Sequence, residues 1–207
     1  MTDDFINRVY RTTGQDEMRA LYDDWAAGYD ADLEDSAYKT PGRVAEALSA
    51  ALADKQAPVL DFACGTGLSG VALADAGFAV IDGADISHGM LEEARRKGVY
   101  RHLIRTDPDQ PLPVERGAYR AITAVGAISV GAAPGVLYDD LVGLLTPGGL
   151  MVLSLNDRSV AMEDYGGRLR ASIETGKVRK LSEETGPHLV HDGRTTQSTV
   201  YVLERLA

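Results

Sequence analysis

A chain of 207 residues suits one domain and is long enough to bury a core. Hydrophobic residues at 44% and charged residues at 25% lie near globular averages, which sets aside fibrous and disordered classes. The net charge of −10, with only short basic runs such as Arg95-Arg96-Lys97 and Lys177 to Lys180, argues against nucleic acid or an anionic membrane as the main partner.

One cysteine makes no internal disulfide, and no C-x-x-C or paired metal arrangement is visible, so no metal is expected. The opening MTDDFINRVYRTTGQDEM lacks the apolar core of a signal peptide, and no 18-residue apolar run could span a bilayer. The expectation is a cytoplasmic protein without a membrane segment.

Residues 1–14 are polar. From Met18, the positions Leu21, Tyr22, Trp25, Ala26 and Tyr29 fall on one helical face with acids opposite. Thr40-Pro41 reads as an N-cap and first helical residue, opening a second amphipathic helix through Val44, Leu48 and Leu52. Val59-Leu60 is a short strand that reaches Asp61; the turn Cys64-Gly65-Thr66-Gly67 follows, and a helix runs from Leu68 to a left-handed cap at Gly77. Phe78 to Ile81 reads as the second strand, ending near Asp85. Ser87 caps a helix carrying Met90, Leu91 and Ala94, closed by Gly98. A strand lies around Leu103 to Arg105, a proline-rich loop at 108–113, and another strand at Tyr119 to Val125. Pro134 starts a helix with Leu137, Leu141, Leu144 and Leu145 inward. The apolar run Leu150 to Leu155 reads as a central parallel strand. Asp192-Gly193 marks a turn, and Thr195 to Leu206 has strand composition.

Regular alternation of strand and helix predicts an α/β domain: a Rossmann-like, doubly wound, mostly parallel seven-stranded sheet with helices on both faces. In such a sheet ligands bind beyond the carboxyl ends of the strands. Those ends supply Asp61 to Gly67, Asp85-Ile86, Thr106-Asp107, Val125-Gly126-Ala127 and Asn156-Asp157. Asp85, about twenty residues past Gly65, suits a ribose diol. Asp61 would repel a pyrophosphate and favour a cationic ligand. Asp107 could accept from an adenine amino group.

VLDFACGTG, then GADIS-x-x-ML-x-x-AR, then TD, then LTPGGLMVLS resembles the class I S-adenosylmethionine-dependent methyltransferase family. The leading YDDWAAGYDADL resembles the Y-D-x-W-A-x-x-Y-D helix of a small-molecule branch. The resemblance covers residues 20–160 or so. It implies an N-terminal pair of lid helices (1–55), a cofactor-binding core (56–155) and a substrate-side segment with the final strands (156–207), all in one domain. It implies that Asp61, Gly65 and Gly67 hold the methionyl part of S-adenosylmethionine, with Ala63, Cys64 and Leu68 in the same loop. Asp85 then matches the acid on the ribose, Ile86 the apolar contact to adenine with Met90 beside it, Thr106-Asp107 the adenine-edge loop, and Val125-Gly126 the stretch beside the methionyl group. Trp25 and Tyr29 match aromatics that close over the cofactor.

Ala63 stands where the family usually has glycine. If the position needs positive φ, alanine costs roughly 1–2 kcal/mol; if it needs only smallness, the cost is slight. Cys64 has no activating His in sequence, and His88, His102, His188 and His191 show no metal-ligand spacing. Methyl transfer from a sulfonium is chiefly a matter of alignment and water exclusion. Tyr22, Tyr29, Asn156 and Asp157 are candidates to touch the acceptor, and Tyr165, Arg168 and Arg170 lie in the same downstream segment. The expected partner is a small-molecule acceptor, with the protein a monomer or homodimer. Two other readings remain open: an NAD(P)-dependent oxidoreductase using the same G-x-G-x-x-G loop, and a non-catalytic S-adenosylmethionine-binding subunit.

Overall fold

The computed structural model describes residues 15–35, 37–130, 132–191 and 194–207. The polar start and the expected Asp192-Gly193 turn lie outside the described residues. Helices α1 (Gln15–Asp35) and α2 (Thr40–Ala51) precede β1 (Val59–Phe62). Then follow α3 (Leu68–Asp75), β2 (Ile81–Asp85), α4 (His88–Lys97), β3 (His102–Arg105), β4 (Ala121–Ala124), α5 (Val136–Leu144) and β5 (Leu150–Asn156). A short helix α6 (Asp157–Ala161), a π-helical turn (Glu163–Gly167) and α7 (Arg168–Glu174) lead to β6 (Val178–His191) and β7 (Arg194–Arg205).

The seven strands lie in the order β3-β2-β1-β4-β5-β7-β6. The first five are mutually parallel, and β7 runs antiparallel to both β5 and β6. β1, β2 and β4 are buried at every residue, as befits strands covered on both faces. One face carries Leu60, Phe62 and Ile122 under Tyr138, Leu141 and Val142 of α5 and Leu169 of α7. The other carries Val59, Ile81 and Val152 under Val44, Ala45 and Leu48 of α2 and Leu73 of α3. The strand order reverses between β1 and β4, so a crevice opens beyond their carboxyl ends.

The mostly parallel doubly wound sheet is as the alternation predicts, but several local readings need correction. The second strand begins at Ile81; Phe78 precedes it as a buried core residue. Thr40 does not cap its helix. Lys39 holds the cap position without a side-chain bond, while the Thr40 hydroxyl is engaged by His188 and Ser198. β5 has a parallel neighbour on one side only. The stretch 178–191, within the expected substrate-side segment, is a strand. Its pattern VRKLSEET shows no apolar alternation because β6 is the sheet's outer strand, held by backbone pairing to β7. Ser87 does cap α4, accepting from Met90 N at 3.0 Å, and Gly98 closes it in the left-handed region.

Helix α1 buries Met18, Leu21, Trp25 and Ala26 of the face predicted from spacing, and Leu33 beyond it, while Tyr22 and Tyr29 are half-buried. It lies against α4. The Asp23 carboxylate accepts from the Ser87 hydroxyl (2.5 Å) and the Gly89 amide (3.0 Å). Asp30 accepts from Thr66 Oγ1 (2.5 Å) and pairs with Lys97. Among the described residues, no helix is long and apolar enough to cross a membrane.

Candidate active site

Beyond the carboxyl ends of β1 and β4 lies a cleft of about 910 Å³, open mouth included. Phe62, Ala63 and Gly65 come from the turn after β1; Ala84, Asp85, Ile86 and Met90 come from the end of β2 and the start of α4. Thr106 and Pro108 follow β3, and Val125, Gly126 and Ala127 follow β4. Met18, Tyr22 and Tyr29 of α1 cover it. The sheet topology thus brings four of the five predicted strand ends together around one space.

Asp85 is the only charged residue lining this cleft among the described residues. One of its oxygens accepts from Gly65 N and the other from Ser87 N, each at 2.9 Å. Burial pushes its carboxyl up to about 6, against the lowering effect of the Ser87, Gly65 and Ile86 amides, and nearby Asp61 adds to the rise. Gly65 has φ +55°, and a Cβ built there would meet no atom within 4 Å, so the backbone faces open space. Ala63 has φ +51°. The position does demand the left-handed region, and alanine carries the strain there.

Six residues that the resemblance placed at the cofactor do not line the cleft, Trp25 among them. Asp61 is fully buried, accepting from Ser69 Oγ (2.6 Å), the Tyr100 hydroxyl (2.7 Å) and Thr123 Oγ1 (2.9 Å). Burial raises its carboxyl pKa, and these three hydroxyls oppose the rise. It ties its own turn to α3 and β4 from behind the wall. Gly67 faces Tyr100, Ala94 and Lys97, so its glycine makes room for neighbouring side chains. Cys64 is buried, and burial pushes its thiol well up, away from the reactive thiolate form. Leu68 opens α3, and Asp107 is an exposed loop acid whose Oδ1 accepts from Asp109 N at 3.0 Å.

A second pocket adjoins the first, sharing Tyr22, Tyr29, Gly126 and Ala132 with it. Its space is about 780 Å³, and Trp25, Leu33, Tyr38, Ser129, Ser154, Asn156, His188 and Ser198 contribute to its wall. Trp25 therefore belongs to this pocket, in edge contact with Tyr29 at 4.7 Å between ring centres. Asn156 also lines it, with Oδ1 already accepting from Ser159 N (2.8 Å) as the cap of α6. Tyr165, Arg168 and Arg170 line neither cavity; Arg168 pairs with Asp139 and Asp164, and Arg170 with Glu163. Sequence reasoning missed Tyr38 and His188. Tyr38 precedes a helix, and His188 arrives on a hairpin strand whose partner is set by long-range pairing. Neither carries a local signal.

Residues 59–149 match the methyltransferase domain family, spanning β1 to the threshold of β5. Over these residues the chain resembles a methyltransferase domain in sequence, and its strand order places the matched strands side by side in the sheet. It is 36% identical to human methyltransferase-like protein 27 over 157 residues, 74% of this chain and 63% of that protein. It is 39% identical over 90 residues to the Bos taurus 18S rRNA (guanine-N(7))-methyltransferase, 44% of this chain and 31% of that one. The matches thus span less than two thirds of the curated relatives' own lengths. Magnesium protoporphyrin IX methyltransferase from Synechocystis PCC 6803, solved with bound S-adenosylmethionine, shares the fold at a TM-score of 0.58 and 18% identity, over 98% of this chain and 90% of that one.

S-adenosylmethionine is bound in the Synechocystis protein, and the cleft of this chain fits it. Gly65 leaves a backbone surface open, Asp85 offers a carboxylate where a diol would sit, and Ile86, Met90 and Pro108 are apolar walls for a purine. A diphosphate fits poorly, because among the described residues no Lys or Arg lines the cleft and the one charge there is negative.

Proposed function

We propose that the chain is an S-adenosylmethionine-dependent methyltransferase acting on a small molecule. The observation that carries this reading is the pairing of an anionic, apolar-walled cleft with a second pocket opening from it across Tyr22, Tyr29 and Gly126. The cleft suits the donor's nucleoside, and the adjoining pocket gives an acceptor a place to stand. That second space also argues against a purely cofactor-binding role.

S-adenosylmethionine supplies a methyl group already activated on a sulfonium. The chain's own part is to bind, orient and exclude water. Asp85 receives the ribose hydroxyls while holding the Gly65 turn, Thr106 and Pro108 border the purine slot, and Val125-Gly126 form the seam between donor and acceptor. Tyr22 and Tyr29 line both spaces and keep bulk water from the seam. Alignment of this kind can lower a barrier by roughly 7–11 kcal/mol without a strong base.

A thermal-shift series tests the reading. S-adenosylmethionine and S-adenosylhomocysteine should each raise the Tm, and NAD and NADP should not. Stabilisation by NAD(P) alone would sink it. Methylated product from a small-molecule library, with none from ribosomal RNA, completes the test.

A further inference from the structure

We infer that the second pocket receives an uncharged aromatic acceptor, one of whose oxygen lone pairs is held by Nε2–H of His188. This rests on the methyltransferase reading for the word acceptor, but not for the binding itself. Two features carry it, the wall and a hydrogen-bond chain.

The wall is aromatic and, apart from His188, free of ionisable groups that carry charge near neutrality. Tyr22, Trp25, Tyr29 and Tyr38 surround the space, and among the described residues no Asp, Glu, Lys or Arg lines it. A charged ligand would lose its water there without gaining a counter-charge. A flat ring would gain stacked or edge contacts, as Trp25 and Tyr29 already make with each other.

The chain begins at Arg43, which can only donate. Its guanidinium gives a hydrogen bond to Ser198 Oγ at 3.1 Å. Ser198 Oγ is 3.1 Å from Thr40 Oγ1, and Thr40 Oγ1 is 2.8 Å from Nδ1 of His188. With each O–H dipole pointing away from the cation, Ser198 donates to Thr40 and Thr40 donates to Nδ1. Nδ1 is then the acceptor of a neutral ring, and the proton resides on Nε2. Burial, followed by the charge of Arg43, pushes the imidazole down to about 4 against Asp157, which keeps the ring neutral near pH 7. Tyr38 packs edge-on to the ring at 5.2 Å and fixes its plane, while the His188 carbonyl accepts from Lys39 N at 2.9 Å. No other partner for Nε2 occurs among the described residues.

Three ligands with one ring system test this: naphthalene, 2-naphthol and 2-naphthoate, titrated calorimetrically into the full chain with and without S-adenosylhomocysteine. The expected order places 2-naphthol at least tenfold tighter than either of the others. His188→Phe should erase the advantage of 2-naphthol over naphthalene. Thr40→Val, which breaks the chain to Nδ1, should reduce that advantage, and Thr40→Ser should restore it. S-adenosylhomocysteine affinity should stay within twofold in all three variants. Tightest binding of 2-naphthoate, equal binding of naphthol and naphthalene, or an undiminished naphthol preference in His188→Phe each overturns the proposal. If S-adenosylhomocysteine fails to bind the wild-type chain, the methyltransferase reading falls separately, and the naphthol comparison still decides the pocket.

Discussion

The carboxylate of Asp85 accepts the amide of Gly65 at 2.9 Å, so one acid at the end of β2 holds the turn that follows β1. The acid is nearly buried and its carboxyl is pushed up to about 6. Because that lies above the unfolded value near 3.9, its contribution to stability is present below about pH 4 and is lost as the pH rises through about 6. Ligand binding has the opposite sign, since the ionised form accepts hydroxyl donors. Calorimetry should find S-adenosylhomocysteine about tenfold weaker at pH 5 than at pH 8. Asp85→Asn should weaken binding at pH 8 by tenfold or more and flatten the profile. A pH-independent affinity would remove Asp85 from the ribose.

Tyr100 fills the room left by Gly70. A Cβ at Gly70 would stand 2.2 Å from Cζ of Tyr100, whose hydroxyl accepts from Gly70 N (3.1 Å) and donates to Asp61 (2.7 Å). Gly70→Ala should destabilise the fold by ~1–3 kcal/mol through overpacking, lowering the Tm by several degrees. Tyr100→Phe keeps the ring but takes one donor from a buried carboxylate. Its expected loss is about 1–3 kcal/mol. Chemical denaturation measures both, and wild-type stability in either variant refutes this packing account.

Strain at Ala63 offers a gain. Its φ of +51° costs alanine roughly 1–2 kcal/mol, while glycine's extra freedom in the unfolded chain takes back about 0.4–1 kcal/mol. Ala63→Gly should therefore raise stability by up to about 1 kcal/mol, and removing the methyl from the cleft wall should also tighten S-adenosylhomocysteine. Ala63→Val should do the reverse on both counts. A Tm that falls in the glycine variant would contradict the strain.

Closure over the cleft depends on Asp23. Its two bonds to Ser87 and Gly89 fasten α1, which carries Met18, Tyr22 and Tyr29 over the ligand space. Asp23→Ala should leave the cap of α4 in place, because Met90 N still bonds Ser87 Oγ. Stopped-flow displacement should show S-adenosylhomocysteine leaving about tenfold faster, the equivalent of 1.4 kcal/mol, with little change in Tm. An unchanged off-rate would mean that α1 does not gate the cleft.

Much of this architecture is legible in the sequence. The apolar runs of β1 and β5, the caps Ser87 and Gly98, and the buried face of α1 are local patterns, and local sterics and burial decide them. The acids were harder. Asp61 and Asp85 look alike as strand-end carboxylates, yet one is sealed behind the turn by three hydroxyls and the other lines the cleft. Tyr100, which makes the difference for Asp61, is 39 residues away along the chain.

The residue order by itself determined the alternating α/β plan, the Gly65 turn and the ring of strand ends, because periodicity and backbone freedom act over a few neighbours. Only the tertiary structure decided that β6 pairs at the sheet's outer edge, that Gly67 and Gly70 make room for a tyrosine, and that Arg43, Ser198, Thr40 and His188 join in one chain beside an aromatic pocket. The physical reason is distance along the chain. Hydrogen bonds and packing between residues about 150 positions apart leave no periodic trace in either segment.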